Sequence, residues 1–232
     1  DGKVWMVPWD WGNTSILYRT DLVKNPEPTW KMFFDPNSPY AGKMATIDAV
    51  HDTPLVAAVV AGVDPFKKMD QGELDKVGAM LRQQRPLMSS YTTDMTSVEQ
   101  SLASGELVAA MAWNASATAL KKQNVPVAFM KPKEGMLTWV CGMVLLKDAK
   151  HVDLAYDFIN ARMNPDSGAS LINEYGYGSA SQAAFKKVPA AKLDELSLPN
   201  DPETMLRDTV LTKPIPSNDE LAKLFERVKA GG

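Results

Sequence analysis

The sequence predicts an α/β fold on a mostly parallel sheet, and three observations carry that expectation. Strand-like runs alternate with helix-like runs along the chain. Residues 107–113 and 138–146 are continuous apolar runs, as strands covered on both faces require. The 232 residues suffice for one large domain or two small ones with a real hydrophobic core.

The elements follow in order. Residues 4–9 are apolar and aromatic and read as a strand, broken at 11–13 by Trp-Gly-Asn and resumed over 14–18. After a turn at 25–28, residues 29–34 form a short amphipathic helix with Thr29 as its N-cap. A short strand covers 43–47. An apolar helix covers 53–61, with Pro54 in its tolerant first turn and Gly62 at its end. Residues 73–83 are helical, with Leu74, Val77 and Leu81 on one side, and 87–91 extended. Thr96-Ser97-Val98-Glu99 reads as a capping box opening a helix that Gly105 ends. The strand at 107–113 precedes a helix at 115–123 and a strand at 125–130. Beyond the strand at 138–146, helices cover 153–162 and 165–175. Ser217-Asn218-Asp219-Glu220 reads as a second capping box, after which Leu221, Leu224, Phe225 and Val228 make an apolar stripe.

Composition narrows the function. Apolar residues are 45% and charged residues 23%, as in an ordinary globular chain, which excludes disorder and disulfide scaffolds. The net charge is −3 and no Lys/Arg run exceeds two, so no nucleic-acid partner is expected. The longest apolar runs are too short to span a bilayer. The lone cysteine, Cys141, fits a cytosolic protein and equally a bacterial exported one.

Catalytic chemistry is poorly supported. There is no G-x-S-x-G, and only His51 and His151. Cys141 lies between apolar neighbours, Val140 and Met143, which argues for a buried, inert thiol. Asp48, His51 and Asp52 have the donor types for a metal, but no second cluster completes a shell, and Asp52 reads better as the cap of the helix at 53 or as an acid at its positive N-terminal end. Phosphate-binding glycine loops are absent, so no cofactor is expected.

The aromatic residues are the stronger signal. Trp9, Trp11, Trp113, Trp139 and Tyr177 sit beside strand ends or turns, whereas Trp5 and Trp30 lie inside elements and read as core. Open α/β sheets bind ligands outside the carboxyl ends of their strands. Several rings around one cleft make a cage for an ammonium group or an alkyl chain.

A set of short motifs then resembles the polyamine-type periplasmic binding proteins. These are Val7-Pro8-Trp9-Asp10-Trp11-Gly12, Pro28-Thr29-Trp30, Tyr40-Ala41-Gly42-Lys43 and Leu102-Ala103-Ser104-Gly105-Glu106. Trp113-Asn114-Ala115-Ser116, Pro132-Lys133-Glu134-Gly135, the helix at 148–160, Gly176-Tyr177 and Lys229-Ala230-Gly231 keep the same order. No one motif is diagnostic; the ordered set, over essentially the whole chain, is fairly specific. The resemblance implies a periplasmic binding protein-like fold (type II): two α/β lobes joined by crossing strands, with ligand in the cleft between them. It implies a periplasmic solute receptor, not an enzyme, that delivers a small amine or amino acid to the membrane permease of an ABC importer. Ligand-facing aromatics fall by resemblance on Trp11 or Trp9, Trp113, Trp139 and Tyr177, and a carboxylate on Asp52 with Asp48 as its neighbour.

Two departures refine the expectation. Cys141 and Ser116 stand where polyamine receptors of the family carry aspartates. An unpaired buried ammonium costs several kcal/mol, so a ligand with one amine, such as a γ-amino acid, fits better than a long polycation. The family also carries a segment before its hinge that has no counterpart here. The chain therefore reads as a fragment or a truncated product: residues 1–11 a hinge strand, 12–138 and 178–232 the C-terminal lobe, and 139–177 a remnant of the N-terminal lobe. The remnant is expected to expose strand edges and apolar helix faces, so that the chain oligomerises through residues 139–177, exchanges that segment between protomers or shows it mobile. The competing readings are an oligomerising interaction module and an enzyme reusing the fold.

Overall fold

The computed structural model describes residues 4–196, 198 and 209–232. The chain divides into two compact units. The larger comprises Thr14–Leu137 and Thr209–Gly232, and the smaller comprises residues up to Asn13 with the described part of 138–198. This grouping differs from the expected lobes over 178–198, which pack with the smaller unit. Residues 1–3 of the expected hinge strand lie outside the described residues.

β1 (Val7–Arg19) is one strand, not two. The expected break at 11–13 does not occur, because Gly12 and Asn13 stay extended and buried, and the Thr138 hydroxyl donates to Asn13 Oδ1 at 2.7 Å.

In the larger unit β2 (Met44–Ile47) runs parallel to both β3 (Met88–Thr92) and β4 (Ala109–Trp113). β1 runs antiparallel to β4, with Thr14 opposite Trp113, and to β5 (Val127–Phe129). With β6 (Met136–Met143) and β8 (Thr209–Leu211) the strand order is β3-β2-β4-β1-β6-β8. The sheet is therefore mixed, where a mostly parallel one was expected. A strand that enters without a preceding crossover helix is free to run against its neighbours.

Side-chain alternation puts core on both faces. Ile16, Ala109 and Met111 join one cluster with Trp30, Phe33, Leu55 and Phe225, while Leu17, Ala110 and Ala112 join another with Leu102 and Leu120. α1 (Thr53–Val60) and α9 (Asn218–Lys229) both pack on α2 (Gln71–Gln84). α9 buries Leu221, Leu224, Phe225 and Val228, the stripe that its sequence spacing gives.

The helix caps depart from the expected ones. α3 (Met95–Ser104) is capped by Asp94, whose carboxylate accepts from the Thr96 and Ser97 N–H groups, so the 96–99 box lies inside the helix. Ser217 does not cap α9; its hydroxyl accepts from the Met69 N–H at 2.8 Å. The capping box that does form is Asp70 with Glu73, at the start of α2. The 3-10 turn Trp30–Phe33 is capped by Thr29, as expected.

The smaller unit holds the first half of β1, most of β6, α5 (Val152–Met163), α6 (Pro165–Tyr175), β7 (Gly178–Ser179), α7 (Gln182–Phe185) and α8 (Ala190–Leu196). β7 pairs with β1 at Asp10 and Trp11. Trp11, Ile172, Ala184, Phe185, Leu193 and Leu196 form its core, which is why the stretch after 178 belongs here. α6 buries Ala169 and Ile172, so only α5, with no buried residue, shows the open apolar face expected of both helices. β6 is paired within the sheet and is not a bare edge. Trp5, expected in the core, is 71% exposed.

Candidate functional site

The sequence-predicted residues fall into two sets, one in each unit. In the larger unit, β2 and β4 are parallel, so their carboxyl ends share one edge of the sheet. The 48–52 loop leaves β2 there and leads into α1, while Trp113 ends β4 and α4 (Asn114–Lys122) begins. Thr14 faces Trp113 across the β1–β4 ladder. One sheet edge thus gathers Asp52, Thr14, Trp113 and Ser116.

Asp52 sits at the N-terminal end of α1, in the N-cap position, as one of the two expectations had it, but it makes no side-chain capping bond. Burial pushes its carboxyl up to about 6, against a smaller opposing effect of the Thr14 hydroxyl beside it. Trp113 is half-buried. The Ser116 hydroxyl is buried in the first turn of α4 with no hydrogen-bond partner among the described residues. A half-desolvated carboxylate, an indole face and an unused hydroxyl can together hold an ammonium group. Asp48 is engaged elsewhere, on Lys229 at 2.6 Å.

In the smaller unit Trp139 meets Tyr177 edge to face, centroids 5.1 Å apart, and Tyr175 stacks on Tyr177 at 6.4 Å. The Arg162 guanidinium lies 3.8 Å from the centroid of the Trp9 ring. Trp11 does not reach a ligand surface: it is buried, stacked on Phe185. Between the two alternatives at this strand, Trp9 is the one left half-exposed.

Cys141 is exposed, not the buried thiol expected from its apolar neighbours, because the end of β6 that carries it is itself uncovered. Desolvation and the Asp10 carboxylate raise its pKa, which keeps it a thiol. Asp10 is the residue that sequence reasoning missed. It is 5% exposed, its carboxyl is pushed up by burial, and Cys141 and Arg162 oppose that rise. The available signal was an acid between two tryptophans in an otherwise apolar strand.

His51 and His151 are both exposed. Among the described residues no group of three or more His, Cys, Asp or Glu side chains is placed to hold a metal ion. No helix among them is long and apolar enough to cross a membrane.

Three comparisons bear on this geometry. The family described as bacterial extracellular solute-binding protein matches residues 1–197. The putrescine/agmatine-binding protein of Pseudomonas aeruginosa is 27% identical, over 99% of this chain and 66% of its own length. The spermidine/putrescine-binding periplasmic protein 1 of Haemophilus influenzae is 26% identical, over 81% of this chain and 51% of its own. The chain thus spans between about half and two thirds of these curated relatives. Among solved structures, a putative spermidine/putrescine ABC transporter protein from Listeria monocytogenes superposes with a TM-score of 0.83 at 21% identity, covering 97% of this chain and 69% of that one. At that identity the likeness establishes the fold, an α/β binding-protein architecture.

Proposed function

Because the chain belongs to the bacterial extracellular solute-binding protein family, we propose that it is part of a periplasmic receptor that passes a small amine-containing solute to the permease of an ABC importer, without catalysis. The observation that carries the ligand class is Asp52: a partly desolvated carboxylate at the carboxyl edge of the sheet, free of capping duty and beside Thr14, which faces Trp113 across the β1–β4 ladder. Relatives whose names specify putrescine, agmatine or spermidine support an amine. The side chains at 116 and 141, a hydroxyl and a thiol, favour a ligand with one ammonium, a monoamine or a γ-amino acid such as γ-aminobutyrate, over spermidine.

Titration calorimetry of the chain with putrescine, spermidine and γ-aminobutyrate tests the reading. Asp52→Asn is expected to weaken the tightest of them at least tenfold while the chain stays folded. Unchanged affinity would remove Asp52 from the site, and tight spermidine binding would overturn the single-amine preference.

A second reading has one specific observation behind it. The exposed face of α5 suits self-association, so the chain can also act as an oligomerising module through residues 139–177.

A further inference from the structure

The smaller unit contains a cavity of about 680 Å³ bordered by Trp9, Asp10, Arg162, Asp166, Tyr175 and Tyr177, among others. We infer that this cavity binds a small zwitterion, with Asp10 taking its ammonium and Arg162 its carboxylate. The inference rests on the smaller unit alone and not on the Asp52 set.

Asp10 makes the case for the cation. It is buried, and its Oδ1 has no hydrogen-bond partner among the described residues. A buried carboxylate oxygen left without a donor is costly, and an ammonium in the adjoining space relieves that cost. The main-chain ladder does not do so: β7 pairs with the backbone at Asp10, and Cys141 is the side-chain partner of its carboxyl, which still leaves Oδ1 without one among the described residues. The neighbouring Cys141 thiol and Arg162 charge favour the ionised form, yet burial outweighs them.

Arg162 makes the case for the anion. Its guanidinium stands over the Trp9 ring at 3.8 Å. A guanidinium on an aromatic face keeps its N–H donors in its own plane, pointing outward, where a carboxylate can take two of them. The other acid on the wall, Asp166, is already paired with Lys187 at 2.5 Å. The cavity thus offers one carboxylate and one guanidinium. A diamine would set its second ammonium against Arg162, and a dicarboxylate would set an anion against Asp10. A ligand with one charge of each sign satisfies both, and the Tyr175 and Tyr177 rings give its methylenes apolar cover.

Titration calorimetry on the whole chain with γ-aminobutyrate, n-butylamine, butyrate and putrescine tests the inference. γ-Aminobutyrate is expected to bind tighter than either half-ligand and tighter than putrescine. Asp10→Asn should weaken γ-aminobutyrate and butylamine at least tenfold and leave butyrate unchanged. Arg162→Gln should weaken γ-aminobutyrate and butyrate and spare butylamine, and Arg162→Lys should recover part of the loss. Melting curves of each variant verify that it folds. Putrescine binding tighter than γ-aminobutyrate, or no binding by the folded chain at millimolar concentration, overturns the inference. Loss on Asp52→Asn with none on Asp10→Asn also overturns it, while leaving the larger unit's amine site standing. Loss on Asp10→Asn with none on Asp52→Asn supports it and removes the Asp52 assignment instead.

Discussion

The Trp11 indole lies flat against the Phe185 ring, centroids 6.3 Å apart and planes 14° from parallel. Gly178, paired with Trp11 across β1 and β7, makes room for it: a Cβ at Gly178 would fall 2.0 Å from the indole Cε2. Neither the backbone on one side nor the stacked Phe185 on the other can give way cheaply. Gly178→Ala is therefore expected to destabilise the smaller unit by about 1–3 kcal/mol through overpacking. Urea unfolding followed by tryptophan fluorescence measures it, and an unchanged midpoint would show that the indole is not held there.

The Asp52 carboxyl sets a pH dependence whose sign can be worked out. Its folded pKa is raised to about 6 from an ordinary 3.8. Between those values the folded chain holds a proton that the unfolded chain has released. Stability therefore falls as pH rises from about 4 to about 6 and levels off above, by roughly 3 kcal/mol at most for this group. Asp52→Asn should flatten that part of the curve and raise the melting temperature at pH 7. Amine binding should run the other way, strengthening through the same interval as the carboxylate ionises. Melting temperature and calorimetric affinity between pH 4 and pH 8, in wild type and variant, measure both arms.

Much of the larger unit was legible in the sequence because its signals are local. The spacing of Leu221, Leu224, Phe225 and Val228 sufficed for α9, and these side chains are buried as that spacing implies. The boxes expected at Thr96 and Ser217 do not form because several polar residues compete near each helix start: Asp94 caps α3, and the Ser217 hydroxyl accepts from the Met69 N–H. The unity of β1 was hidden for a related reason. Gly12 and Asn13 look like breakers, and only the long-range bond from Thr138 to Asn13 shows why they stay extended. At the candidate sites, Trp9 and Trp11 were indistinguishable by type and position, since one is separated from the other only by Phe185, 174 residues away in the chain. Asp10 escaped notice because its meaning depends on what surrounds it: Cys141, Arg162 and a burial that no local pattern reports.

Trp113 tests the aromatic part of the site proposed for the larger unit. A cation over an indole gains about 0.5–2 kcal/mol, which corresponds to roughly 2- to 30-fold in affinity. Trp113→Leu keeps apolar cover at the end of β4 and removes the π face. The variant is expected to lose affinity for an amine ligand within that range while its melting temperature changes little. A large stability loss with no selective loss of amine binding would show that the ring serves only packing.

The edge-to-face contact between Phe225 and Tyr91, centroids 5.3 Å apart, ties α9 to β3. Phe225 is buried among Leu55, Val77 and Leu81 of the larger unit's main cluster. Phe225→Ala is expected to cost about 3–5 kcal/mol, from the lost burial and the cavity left behind. Denaturant midpoints measure the cost, and a change below about 1 kcal/mol, against that scale for buried aromatics, would show that α9 is dispensable to this core.

The exposed face of α5 supports the last prediction. Leu154 is 66% exposed, Tyr156 54% and Phe158 61%, and no residue of the helix is buried. Leu154 and Phe158, four residues apart, stand one above the other on the same side of the helix. An amphipathic helix earns most of its stability from packing its apolar side, and here that side meets water. Contiguous apolar surface of this kind draws in a partner, and a second copy of the chain is always present at the concentrations used for purification. The chain is therefore expected to self-associate as concentration rises. The double variant Leu154→Glu, Phe158→Lys should shift it toward the monomer, with little effect on the melting temperature measured at low concentration, since neither side chain is buried. Sedimentation velocity over a concentration series gives the result. A wild-type chain that stays monomeric throughout, or a double variant that associates as strongly, would exclude α5 as the contact.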